Sequence, residues 1–239
     1  MVDWPEPTKS LFARKLGHEP PWTPEELASL RTAIFKRVGR GELPWLELLP
    51  NVRGLNVTAW HAPRLQSLTG VPQLRRLRLW DCTDVDLTPL PDVAPNLQHV
   101  ELKRCYLDDL SPLLDLPKLH SVNLDGLPMS EDSWQRVVPA LLERGIQHVG
   151  NYPMMADDEW QVMHALQQRG LTLSVYRGAW GNAGIKAVGD DAHPTIVFHR
   201  IENLAAAVDA FPGKTLDALW AHLQDASDRE PEPPEAADD

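Results

Sequence analysis

Leu74-Arg75-Arg76-Leu77-Arg78-Leu79-Trp80-Asp81-Cys82 is the stretch on which the fold turns. Leu77 and Leu79 alternate with Arg76, Arg78 and Trp80, the two-residue period of a strand with one buried and one open face. The same figure recurs as Val52-Arg-Gly-Leu55-Asn-Val57-Thr-Ala-Trp60, Leu97-Gln-His-Val100-Glu-Leu102-Lys-Arg-Cys105 and Leu119-His-Ser-Val122-Asn-Leu124-Asp-Gly-Leu127, with starts 22, 23 and 22 residues apart. Each unit reads L-x-x-L-x-L-x-x-C or an apolar equivalent. A proline stands two residues ahead of each, at Pro50, Pro72, Pro95 and Pro117, outside the paired segment, where its missing N–H costs little. A single unit of this length cannot bury its own apolar face and must stack on its neighbours.

The pattern and spacing resemble the leucine-rich-repeat family, with cysteine rather than asparagine after the strand in two units. That resemblance implies an α/β solenoid with parallel strands on the concave side and turns or short helices on the convex side. A second, longer repeat follows on self-comparison. Met129-Ser-Glu-Asp-Ser-Trp134-Gln matches Met155-Ala-Asp-Asp-Glu-Trp160-Gln, and Ala140-Leu-Leu-Glu-Arg-Gly145-Ile matches Ala165-Leu-Gln-Gln-Arg-Gly170-Leu. In both, acidic residues open a helix, Arg-Gly closes it, and strand-like runs follow at Ile146–Val149 and Leu171–Tyr176. Residues 44–176 are therefore expected to form one solenoid of four short and two helix-bearing repeats.

Open solenoid ends expose apolar surface and unpaired strand edges, so helical end caps are expected. Thr23-Pro-Glu-Glu26 carries a capping box with proline at the first helical position. It predicts a capping helix within 23–43, running to about Arg40, whose buried stripe is Leu27, Leu30, Ile34 and Val38. Residues 1–22 precede it as an extension. Residues 177–224 read as a C-terminal α/β cap, with a glycine-rich loop over 178–189, a strand at Thr195–Phe198 and helices over 203–211 and 215–223. Residues 225–239, rich in Pro, Asp, Glu and Ala and without periodicity, are expected to be disordered.

Net charge is −11 over 239 residues, and the last fifteen hold seven carboxylates against one arginine. An acidic body of this kind argues against nucleic acid as a partner, because phosphate binding draws on Lys and Arg. No signal peptide or long apolar run is present, so neither secretion nor a membrane is expected and the cytoplasm is the expected location. Two cysteines are too few for a disulfide framework. Cys82 and Cys105 stand one repeat apart. A disulfide would fit that spacing sterically, and two buried thiols in an apolar ladder are the plainer reading.

The remaining chemical motifs have ordinary explanations. Gly213-Lys-Thr215 lacks the glycine that a phosphate loop needs at position 208, which is Val208, and Thr215 suits a helix N-cap. Gly181-Asn-Ala-Gly184 is too short for a dinucleotide fingerprint. His193 and His199 could share a strand face, with no third metal ligand in view. Glu131-Asp132 and Asp157-Asp158 lie at predicted helix starts; Asp190-Asp191 has no such explanation. No catalytic residues, metal site, cofactor or small-molecule ligand are expected.

Strand alternation leaves twelve positions on the concave face: Gly54, Asn56 and Thr58; Arg76, Arg78 and Trp80; His99, Glu101 and Lys103; Ser121, Asn123 and Asp125. Trp and Arg are enriched at binding hot spots, so a protein partner is expected here, with a non-enzymatic interaction module as the function. All but Gly54 and Ser121 are named as contact residues. A fold of residues 1–22 over Trp80, or packing of its ring on Arg78 or Lys103, would be the alternative use. One local resemblance points elsewhere. Gly213-Lys-Thr-Leu-Asp217-Ala-Leu-Trp220-Ala-His-Leu223 looks like the second helix of the barstar family of ribonuclease inhibitors. Asp217 matches one inhibitory carboxylate of that family, and Ala221 replaces the next. The resemblance implies an immunity protein or antitoxin that occludes a toxin. An enzyme with a site near the 177–200 loop is the third reading.

Overall fold

The computed structural model describes residues 4–36, 38–82, 84–103, 105, 107, 109–124, 127, 130, 132–149, 161–163, 165–166, 169, 171, 173–177, 183–187, 193–211, 213 and 215–229. The chain opens with α1 (Glu6–Leu16), α2 (Pro24–Ser29), β1 (Thr32–Phe35) and β2 (Gly39–Gly41). Then come β3 (Gly54–Thr58), β4 (Trp60–Pro63), β5 (Arg76–Trp80), α3 (Leu90–Val93), β6 (His99–Lys103) and β7 (Ser121–Asn123). A π-helical turn, Ser133–Val137, runs into α4 (Val138–Glu143), followed by β8 (Gln147–Val149). Pro139 has no N–H to offer the preceding turn, which accounts for the widened helix there.

β1, β3, β5, β6, β7 and β8 form one parallel sheet in that order. The four repeats are in register: Leu55 pairs with Leu77, Leu77 with Val100, and Val100 with Val122. These residues, and the Val57, Leu79 and Leu102 rung, are buried. Short 3-10 turns at Pro44–Leu48, Leu65–Gly70 and Ser111–Asp115, together with α3, connect successive strands and supply buried Leu46, Leu68, Leu90 and Leu113 to the same core. The result is an α/β repeat solenoid. Its turns stack closely: a Cβ on Gly70 would lie 2.9 Å from the Glu47 backbone nitrogen, so only glycine fits.

The expected helix from Thr23 to Arg40 is corrected. The capping box forms, with Thr23 accepting from the Glu26 N–H and Glu26 Oε2 accepting from the Thr23 N–H, but the helix ends at Ser29. Thr32-Ala-Ile-Phe is β-branched and aromatic, and the edge of β3 offers it a ladder; pairing outweighs continuation of the helix. Leu27 and Leu30 are buried as expected, but Ile34 lies on a strand and is only partly buried. Residues 1–22 contain α1, which packs on β1. The Thr8 hydroxyl and the Lys15 ammonium donate to the carbonyls of Ile34 and Thr32 on the otherwise unpaired edge of β1. Trp4, Phe12 and Trp22 pack edge to face, with centroids 5.2 to 6.1 Å apart, and join the solenoid core.

The far end is corrected as well. Among the described residues, the second helix-bearing repeat adds no strand to the parallel sheet. β9 (Leu173–Arg177) pairs antiparallel with β10 (Ala183–Ala187), which pairs antiparallel with β11 (Ile196–Phe198). Five residues separate β9 from β10, a length that permits a hairpin, whereas a parallel crossover needs a dozen or more. The expected glycine-rich loop thus contains a strand; the rest of it lies outside the described residues. α5 (Ile201–Asp209) and α6 (Leu216–Asp228) complete this unit. Its buried cluster, including Leu173, Ile185, Phe198, Leu204, Trp220 and Leu223, is separate from that of the solenoid. Residues 225–228, expected to be disordered, are the last turn of α6, and 230–239 lie outside the described residues.

Candidate functional surface

The open face of the sheet is built in rows. Thr32, Gly54, Arg76, His99 and Ser121 align in one, Ile34, Asn56, Arg78, Glu101 and Asn123 in the next, and Thr58, Trp80 and Lys103 in the third. Nine of the ten expected contact residues therefore share one face; Asp125 lies outside the described residues. Thr32 and Ile34 were missed. Their signal is in the sequence: Leu30-x-x-Ala33-x-Phe35-x-x-Val38 begins 22 residues before Val52.

Trp80 is not the freely exposed aromatic that alternation alone suggests. It is partly buried, and its indole N–H donates to Glu101 Oε1 at 2.9 Å. Arg78 Nε lies 2.9 Å from Glu101 Oε2. One carboxylate thus orients both large side chains from the neighbouring strand. Among the described residues of the N-terminal extension, α1 packs on β1 at the end of the sheet. His99 Nδ1 lies 2.7 Å from Ser121 Oγ, and its ring is 6.5 Å from that of His120. Burial, then the charges of Arg76 and His120, hold the His99 imidazole below its ordinary pKa. The neutral ring can exchange a hydrogen bond with Ser121, but no described carboxylate orients it as a catalytic base would need. Asn56 Oδ1 is buried without a hydrogen-bond partner among the described residues, so that atom is not presented to a ligand.

The other candidates resolve into structure. Cys82 and Cys105 are free, buried thiols that donate to the carbonyls of Trp80 and Leu79, at 3.3 and 3.1 Å. Trp60, at the equivalent repeat position, is also buried and gives its N–H to the Gly41 carbonyl at 2.7 Å. Burial pushes the Cys105 thiol well above its ordinary pKa. Thr215 caps α6 by accepting from the Ala218 N–H. Asp217, the residue matched to an inhibitory carboxylate, is 2.8 Å from His193 Nε2, and that ring lies 5.2 Å from Trp220. Strand β11 covers only 196–198, so His193 and His199 do not share a continuous strand. Among the described residues no group of three or more His, Cys, Asp or Glu could hold a metal, and no helix is long and apolar enough to cross a membrane. Asp132 accepts from Arg136; Glu131, Asp157, Asp158, Asp190 and Asp191 lie outside the described residues.

No protein-family model and no curated protein sequence matches the chain. Among solved structures, an internalin C2 from Listeria monocytogenes is similar over 66% of this chain and 69% of its own, at 16% identity and a TM-score of 0.47. A second internalin from that organism is similar over 65% of this chain and 60% of its own, at 16% identity and a TM-score of 0.35. The solenoid itself is defined by the strand register given above.

Proposed function

We propose that this chain is a non-enzymatic interaction module that binds a protein partner through the open face of its solenoid, centred on Trp80. The observation that carries the reading is the Trp80–Glu101–Arg78 cluster. Tryptophan and arginine are costly to order on binding unless already oriented, and here a shared carboxylate from the adjacent strand holds both. Parallel strands with side chains at fixed rungs make a rigid platform, which lowers that cost further. A reducing compartment such as the cytoplasm suits the two free thiols in the ladder.

The test is capture of a partner from native lysate by the immobilised chain, compared with the double variant Trp80→Ala/Arg78→Glu. The variant is expected to lose the captured protein while its melting temperature stays close to that of the unaltered chain. Unchanged capture by a folded variant would remove this surface from consideration.

A further inference from the structure

The residue immediately before each strand of the solenoid and the first residue of that strand lie on one rim of the sheet. At this rim the carbonyl of the preceding residue accepts two N–H groups of the next repeat: Arg31 from Arg53 and Gly54, Arg53 from Arg75 and Arg76, Arg75 from Gln98 and His99. The side chains there are consequently set on rungs about 4.8 Å apart. Arg53, Arg75 and Arg76 are exposed, and among the described residues none of the three makes an ion pair with a carboxylate. Arg31 extends the row, with its guanidinium donating to the Ala28 carbonyl. A row of uncompensated arginines is not a general property of this surface, since the chain carries a net charge of −11. Burial first, and then the charges of Arg76 and His120, hold the His99 imidazole below its ordinary pKa.

We propose that this rim, through Arg53, Arg75 and Arg76, docks an acidic, extended segment of the protein partner. The inference rests on the protein-binding reading above and adds the partner's chemistry to it. Guanidinium groups form paired hydrogen bonds with carboxylates, which a row of lysines would not. In an extended segment, alternate side chains point the same way about 6.8 Å apart, a spacing that long arginine side chains on 4.8 Å rungs can follow. Arg76 belongs both to the rim and to the first row of the open face, so the two surfaces are continuous. Nucleic acid fits less well, because its affinity grows with the number of phosphates neutralised, and three arginines on an acidic protein neutralise few.

The experiment is fluorescence anisotropy at low salt with a labelled decapeptide of alternating glutamate and serine, using the full chain. Binding is expected, with an affinity about tenfold lower for Arg53→Glu/Arg75→Glu. Affinity within twofold of the unaltered chain is expected for Arg64→Glu, an exposed arginine away from the rim that pairs with Glu42, and a glutamine-for-glutamate peptide is expected not to bind. No binding, or binding indifferent to the arginine changes in a variant that melts normally, would overturn the proposal. So would a labelled ten-nucleotide single strand that binds more tightly through the same arginines. A tenfold gain in peptide affinity when Glu230, Glu232 and Glu235 are changed to Gln would make the rim the seat of the protein's own tail and also overturn it. If Trp80→Ala/Arg78→Glu loses the lysate partner while Arg53→Glu/Arg75→Glu keeps it, the rim proposal fails and the open-face reading stands.

Discussion

His99 and His18 show how neighbours set the behaviour of one residue type in opposite directions. His99 is held below its ordinary pKa by burial, by Arg76 and by His120. His18 is raised by its hydrogen bond to Glu26, 2.7 Å away, and by the Glu19 carbonyl. In a proton NMR titration His99 is expected to protonate below 6.5 and His18 above it. Equal midpoints would contradict the packing around His99. Between the lowered value and the ordinary one the unfolded chain binds the His99 proton more readily, so stability falls as pH drops through that window, and His99→Asn is expected to flatten that part of the profile. Residue types and their alternation announced the open-face positions in advance. The role of Glu101 was not legible: its two bonds join residues 20 and more positions apart, and only strand register brings them together.

At the scale of elements, the central four strands were fully readable because the 22-residue phase, the prolines and the apolar alternation agree. The first element was misread because the same residues satisfy two patterns. Leu27, Leu30, Ile34 and Val38 fall on one helical stripe, whereas Leu30, Ala33, Phe35 and Val38 fall on the repeat. The unpaired edge of β3 decides between them, and Phe35 is buried, stacked on Trp45 at 5.7 Å. The consequence is a new edge at β1, which α1 engages through buried Thr8 and through Lys15. Thr8→Val keeps the shape and removes the donor at 2.8 Å from the Ile34 carbonyl. A loss of about 1–3 kcal/mol is expected, seen as a lower urea midpoint with an unchanged slope. An unchanged midpoint would mean that the edge of β1 does not need that bond.

Over the whole molecule, two separate buried clusters divide the described residues into a solenoid and an α/β unit. Calorimetry is expected to show two transitions. Trp220, buried and donating its N–H to the Pro194 carbonyl, belongs to the second cluster. Trp220→Ala is expected to destabilise that unit by about 3–5 kcal/mol, lowering one transition and leaving the other in place. A single transition that moves as a whole would show that the two cores unfold together. The sequence by itself determined the repeat, its strand positions, the buried rungs and the residues of the open face, because each depends on local period and on stacking of like units. Tertiary structure alone decided where the solenoid stops, that β9 turns back onto β10, and that Glu101 binds both Trp80 and Arg78. Strand pairing and long-range hydrogen bonds depend on which edge is free and near, and a periodic sequence does not carry that information.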